Sequence, residues 1–175
     1  HDESIAALRG GRAEIAINYV LTEEEGIERH VVGEFRPHVL VHSAHPLAGR
    51  ESVALAELAD DPFVLLDLPS SRDYFLGILR GAGITSPAKY RSSSYETVRS
   101  LVATGLGYSL LNQRPQTEYT YAGTKTVPIA ISDPVPSLRI AVSSLAQVHR
   151  SARSHAVEQA IRALIDESGH GVTAA

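Results

Sequence analysis

Three consecutive serines, Ser92, Ser93 and Ser94, stand at the mouth of a helical pattern. Hydroxyls and unsatisfied N–H groups at a helix start are suited to hold an anion. Ser93, followed three residues later by Glu96, has the form of a capping box, in which serine and glutamate each satisfy a backbone N–H of the other's turn. Capping and anion binding use neighbouring groups and can coexist, so Ser93 and Ser94 are candidate ligand contacts as well as candidate caps. A second helix start follows Leu68-Pro-Ser-Ser-Arg72. There Ser70 adds a hydroxyl, and Arg72 offers the paired N–H donors that match a carboxylate. Asn18 with Tyr19, and Asn112 with Gln113, end apolar strand patterns in polar groups; Ser43 follows a third. The plainer alternative at each position is a cap, a solvated first-turn side chain or an ordinary loop residue.

His38, His42 and His45 invite a metal reading. On a strand His38 and His42 share a face. His45 falls in a turn, however, and no carboxylate stands at a recognisable spacing, so no metal ligands are assigned. Gly105-Leu-Gly107 lacks the third glycine of a dinucleotide fingerprint and follows a helix. Gly123-Thr-Lys125 has the wrong spacing for a phosphate loop, and Gly107-Tyr-Ser109 lacks the second glycine of a nucleophile elbow. With no catalytic constellation in view, the chain is read as a non-enzyme without a cofactor.

Composition narrows the class. The sequence has 175 residues, 43% apolar and 21% charged, enough for one domain or two small lobes. Its net charge of −4 argues against direct contact with nucleic acid by this segment. It has no cysteine, hence no disulfide framework and no thiol chemistry. No apolar run approaches the ~18 residues of a membrane span, and no secretory signal opens the sequence. A cytoplasmic location without membrane contact is expected.

The elements that must position the candidate groups alternate. Ser4 to Arg9 reads as a helix end stopped by Gly10-Gly11, and Ala13 to Asn18 as a strand. Ile27 to Phe35 and His38 to His42 read as strands, Ser52 to Ala59 as a short helix capped by Ser52. Phe63 to Asp67 is a strand, Asp73 to Arg80 a helix, Lys89 to Ser92 a strand edge. The central helix, with Tyr95, Val98, Leu101 and Val102 on one stripe, ends at Gly105 and leads into a strand over Tyr108 to Leu111. Strands over Thr126 to Ile131 and Leu138 to Val142 follow. Ala152 to Glu167 is the longest helical pattern, with Ala156, Ala160, Ala163 and Leu164 on one side. Such alternation predicts an α/β fold with a mostly parallel sheet. Arg36-Pro37 and Asp133-Pro-Val-Pro136 divide the chain in three. If the outer segments belong together, two lobes joined by two crossings enclose a ligand cleft. Two helix starts and Arg72 at that cleft favour a small organic anion.

Four stretches resemble one family in order. Leu8-Arg-Gly-Gly-Arg-Ala-Glu-Ile-Ala-Ile17, Val39-Leu-Val-His-Ser-Ala-His-Pro-Leu-Ala48, Val53-Ala-Leu-Ala-Glu-Leu-Ala59 and Val102-Ala-Thr-Gly-Leu-Gly-Tyr-Ser-Leu-Leu111 resemble segments of the effector-binding domain of LysR-type transcriptional regulators. Glu14 stands for the usual Asp, and Asn112 for the usual proline. The resemblance implies a two-lobed fold of the periplasmic-binding-protein type 2 kind, with two crossover strands and a cleft between lobes. It implies lobes over 1–36 plus 137–168 and over 37–136, and a first strand and helix that lie outside this sequence; the tail over 169–175 is expected to fray, as chain ends do. It also implies a small-molecule effector, read as a carboxylate, homodimers or homotetramers, and DNA contact through an N-terminal winged helix-turn-helix outside this chain. The expected effector contacts are Asn18, Tyr19, Ser43, Ser70, Arg72, Ser93, Ser94 and Asn112. A transporter's solute-binding protein of the same fold is the alternative.

Overall fold

The computed structural model describes residues 1–69, 71–85, 88–115 and 117–167. The expectations for Ser70 and for the tail lie outside these described residues. The chain forms two compact units, one built from residues up to Phe35 and from Ser137 onward, the other from Arg36–Pro136.

The first unit holds helix α1 (Asp2–Arg9), strands β1 (Ala16–Tyr19), β2 (Ile27–Phe35) and β9 (Leu138–Leu145), and helix α4 (Ala152–Glu167). The sheet order is β1-β9-β2 and both pairings are antiparallel. Ile5 and Leu8, one helical turn apart, bury α1 against Ala16. This apolar cluster is small, and charge does much of the remaining attachment. Glu158 of α4, 7% exposed, meets Arg150 at 2.6 Å, Arg162 at 2.8 Å and His30 of β2 at 3.2 Å. Arg162 also donates to the Val31 carbonyl at 3.2 Å. Burial pushes the Glu158 carboxyl up, but the two guanidiniums and His30 outweigh it and hold it at about 2. Glu14 reaches the start of α4 from the loop before β1. Its carboxylate accepts from the Ser151 N–H and hydroxyl and from the Ser154 hydroxyl, a cap supplied from another element. Those bonds hold the Glu14 carboxyl below the usual range.

The expected apolar side of α4 is therefore corrected. Ser154 and Glu158 are its buried residues, whereas Ala156, Ala160, Ala163 and Leu164 are exposed. Alanine methyls offer little area to bury, and the Glu158 ion cluster turns the other side of the helix inward.

The second unit contains β3 (His38–His42), β4 (Ser52–Val53), a 3-10 helix (Leu55–Leu58), β5 (Val64–Leu66), α2 (Arg72–Gly81), β6 (Tyr90–Ser92), α3 (Tyr95–Ala103), β7 (Ser109–Leu111) and β8 (Thr126–Ile131). Four strands run in the order β4-β8-β3-β7, and β5-β6 form a parallel pair. A parallel bridge between Phe63 and Tyr108 joins the two groups. The Tyr108 N–H donates to the Pro62 carbonyl at 3.0 Å, and the Val64 N–H to the Tyr108 carbonyl at 2.8 Å. Gly107 permits that approach. Its φ is 148°, and a Cβ there would stand 2.0 Å from the Pro62 oxygen. Gly105, with φ 78°, closes α3. Val39, Val41, Leu58, Phe63, Val64, Leu65, Phe75, Leu79, Val98, Val102, Leu110 and Ile129 pack as one apolar core.

The α/β class and the two-part build agree with the sequence reading, but strand direction does not. Of the strand pairings, β1 with β9, β2 with β9, β3 with β7 and β3 with β8 are antiparallel. Among the described residues the parallel pairings are β4 with β8 and β5 with β6, beside the Phe63–Tyr108 bridge. Continuous apolar runs report burial on both faces, which antiparallel strands can share. The helix expected from Ser52 is instead a two-residue strand followed by the 3-10 helix. The Glu57 carboxylate accepts the Ala54 N–H at 3.0 Å, starting that turn two residues later than expected.

Candidate functional site

Parallel β5, β6 and β7 end on the same side of the second unit, which brings Asp67, Ser92–Ser94 and Asn112 to one end of its sheet. Helix α3 starts there. Its cap is Ser94 rather than Ser93: the Ser94 hydroxyl accepts the Thr97 N–H at 3.3 Å. The expected capping box does not form, because Glu96 is engaged elsewhere. It meets the buried Arg99 at 2.7 Å and accepts the Tyr121 N–H at 2.8 Å. Arg99, 4% exposed, also donates to the Thr117 and Tyr119 carbonyls. Together these bonds clamp the 117–125 hairpin to the first turns of α3. Ser93 is left exposed, and the Ser92 hydroxyl accepts the Ser94 N–H at 3.1 Å.

Arg72 opens α2 and donates through Nε to Asp67, with Arg91 4.0 Å from the other carboxylate oxygen. Two guanidiniums thus flank one carboxylate, and Asp73 adds a second acidic group in the first turn of α2. Asn112 is 6% exposed, and its amide donates to the Tyr74 hydroxyl at 3.0 Å. The Tyr74 hydroxyl donates to the Pro136 carbonyl at 2.9 Å, and Tyr95 to the Gln113 carbonyl at 2.7 Å. The structure thus brings together Arg72, Ser93, Ser94 and Asn112, and adds Asp67, Tyr74, Arg91 and Tyr95. Sequence reading missed these four because each lies inside an element or at its edge, where a polar group gives no separate signal. The one cue was helical spacing: Tyr74 stands two residues after Arg72 in the first turn of α2.

Ser43 is not part of this group. It is exposed just past the end of β3, and β3 runs antiparallel to β7, so Ser43 sits at the opposite end of the sheet from Asn112. Asn18 and Tyr19 belong to the first unit. Asn18, 8% exposed, accepts from the Ser143 hydroxyl at 2.8 Å and donates to Ser4 at 3.2 Å, so its amide already serves its own unit.

His38, at the start of β3, is 1% exposed, and neither ring nitrogen has a hydrogen-bond partner among the described residues. Burial and the nearby Arg114 charge push it down to about 3, so the ring is neutral. His42 is the last residue of β3, at the other end of the strand, and His45 lies beyond it. Among the described residues, no group of three or more His, Cys, Asp or Glu is placed to hold a metal ion.

Known proteins place this geometry in context. The family model for the LysR substrate binding domain matches residues 1–168. A hydrogen peroxide-inducible genes activator of Pectobacterium carotovorum is 32% identical over 61% of this chain, which spans 36% of that relative's length. A putative LysR family transcriptional regulator from Pseudomonas aeruginosa superposes with a TM-score of 0.89 at 31% identity, over 94% of this chain and 57% of that one. The BenM effector-binding domain with its effector benzoate shares the fold, with a TM-score of 0.82 at 19% identity over 98% and 78% of the two chains. The chain belongs to the LysR substrate-binding domain family.

Proposed function

We propose that this chain is the sensing part of a LysR-type transcriptional regulator and that it responds to a small organic anion. The observation that carries the reading is one end of the second unit. There Arg72, the hydroxyls of Ser93 and Ser94, Asn112 and the positive end of the α3 dipole converge. Arg72 and Arg91 both face Asp67, and their guanidiniums offer the paired N–H donors that suit a carboxylate. The benzoate of BenM is an effector of this chemistry on the same fold. Ser70, Asn18 and Tyr19 stay in the proposed contact set; Ser43 is the weakest member because of its place at the far end of the sheet.

Regulation would follow from linkage. A ligand shifts an equilibrium only by its differential affinity for two states, and the shifted state would be passed to a DNA-binding domain and to partner copies in a homodimer or homotetramer. No helix among the described residues is long and apolar enough to cross a membrane. A regulator working on DNA would operate in the cytoplasm and need no catalysis of its own.

The test is calorimetry with benzoate, shikimate and other carboxylates beside neutral and cationic ligands of similar size. Saturable heat with a carboxylate, lowered about tenfold in affinity by Arg72→Gln, is expected, the value of one charge-assisted contact. Heat only from neutral or cationic ligands would sink the anion reading.

A further inference from the structure

At the other end of α3 lies a second pocket, confined to the second unit. It is a cavity of about 390 Å³ lined by His42, His45, Leu47, Glu57, Asp61 and Gly105, with Pro46, Pro62 and Gly107 completing the wall. Nothing in the reading above uses it.

Its chemistry is set by hydrogen bonds already made. The Nδ1 atom of His42 accepts the Ala44 N–H at 3.2 Å, and that of His45 accepts the Leu47 N–H at 3.2 Å. A ring nitrogen that accepts carries no proton, so each ring presents Nε2–H. His45 directs its Nε2 to Asp61 at 3.4 Å. The His42 Nε2–H meets no partner among the described residues and stands beside Gly105. This tautomer disfavours a metal ion, which would need the Nε2 lone pair. It leaves one donor, two carboxylates and an apolar floor.

The field of the pocket is negative. Asp61 and Glu57 are partly exposed carboxylates, and Arg50, 3.5 Å from Glu57, is one guanidinium beside the two of them. Gly105 marks the C-terminus of α3, where the helix dipole adds a partial negative charge, and the last turn of α3 has no basic residue to answer it. The Tyr108 hydroxyl, 1% exposed and without a hydrogen-bond partner among the described residues, feels the same field: burial and the Asp61 charge push it up to about 12.

We infer that this pocket binds a small organic cation, an amine or guanidine that also carries an acceptor oxygen. The cationic group lies between Asp61 and Glu57 at the negative end of α3, and the acceptor takes the His42 Nε2–H. At about 30 Å³ per water-sized group, the volume holds about a dozen non-hydrogen atoms. The proposal is independent of the anion reading, because it uses none of the same side chains and sits at the opposite end of the helix.

L-Argininamide has the required groups and size and serves as the probe. Its titration into the 175-residue chain at pH 7.5 is followed by the imidazole signals of His42 and His45, with sodium acetate at equal ionic strength as control. Saturable shifts with a dissociation constant on the order of 1 mM are expected with argininamide alone. Asp61→Asn should weaken binding about fivefold, and Glu57→Gln should act in the same direction should Asp61→Asn fail to fold by circular dichroism. Shifts that do not saturate, equal shifts with acetate, or titrations unchanged in the folded variants would each overturn the proposal.

Discussion

The two units solve the problem of attachment differently. The second closes around an apolar core in which helices α2 and α3 bury Phe75, Leu79, Val98 and Val102 against the sheet. The first has a three-residue apolar cluster at α1 and fastens α4 through Glu158, Arg150, Arg162, His30 and the Glu14 cap. Apolar burial is indifferent to pH and non-directional; an ion cluster is directional and fails when its carboxylate is protonated. The difference teaches that each unit should have its own weak point.

The largest effect is expected from Gly107→Ala. The new Cβ would meet the Pro62 oxygen at 2.0 Å in a backbone conformation that side chains rarely adopt. Loss of more than about 4 kcal/mol, confined to the second unit, is expected in urea unfolding followed by amide exchange. Equal loss of protection in both units would mean that the contrast between them is false.

Acid comes next. His38 titrates near 6.5 when unfolded and at about 3 in the folded second unit. The folded state binds fewer protons, so stability is intact above pH 6.5 and falls as the pH drops toward 3. The loss is about 1.4 kcal/mol per pH unit, about 4–5 kcal/mol in all. His38→Leu should flatten the second unit's profile between pH 6.5 and 4.5; a variant with the wild-type slope would remove His38 from the account.

The matching experiment in the first unit is Glu158→Gln. Arg150, 8% exposed, would lose its carboxylate partner. A cost of about 3 kcal/mol, read as faster exchange in α4 while the second unit stays protected, is expected. The wild-type cluster has its own pH window. Its carboxyl is depressed in the fold, so the stability it supplies is present above pH 4.5 and lost as the pH falls toward about 2. The two units should therefore weaken in different acid ranges. The smallest effect is Ser94→Ala, about 1 kcal/mol, felt as fraying at the start of α3; a silent variant would show that the cap is redundant.

Much of this was legible in the residues. Periodicity placed β2, β8 and α4 at their observed limits, and turn residues marked most other ends. What escaped were choices made by distant partners. Glu96 fits a capping box locally, but Arg99 and the Tyr121 N–H claim it, so the cap moves to Ser94. Alanine spacing suggested one side of α4, and an ion cluster that includes His30, far away in sequence, selects another. At the candidate site the strand ends were readable, because apolar runs stop there. Tyr74, Tyr95 and Arg91 were not, since only folding shows which way an element turns its polar groups. Ser43 shows the converse error: a polar residue after a strand is informative only once the strand's direction is known.

The clamp on the 117–125 hairpin has a practical consequence. Tyr121 is 96% exposed, yet its N–H is tied to the first turn of α3 by Glu96. A probe carried by that side chain stands in open solvent while its backbone rides with the helix beside the candidate anion site. The sequence contains no cysteine, so a single thiol installed by Tyr121→Cys is a unique handle for a fluorophore or spin label. The fold has in effect provided a mast on which an optical or magnetic gauge of α3 can be mounted without touching the groups proposed to bind.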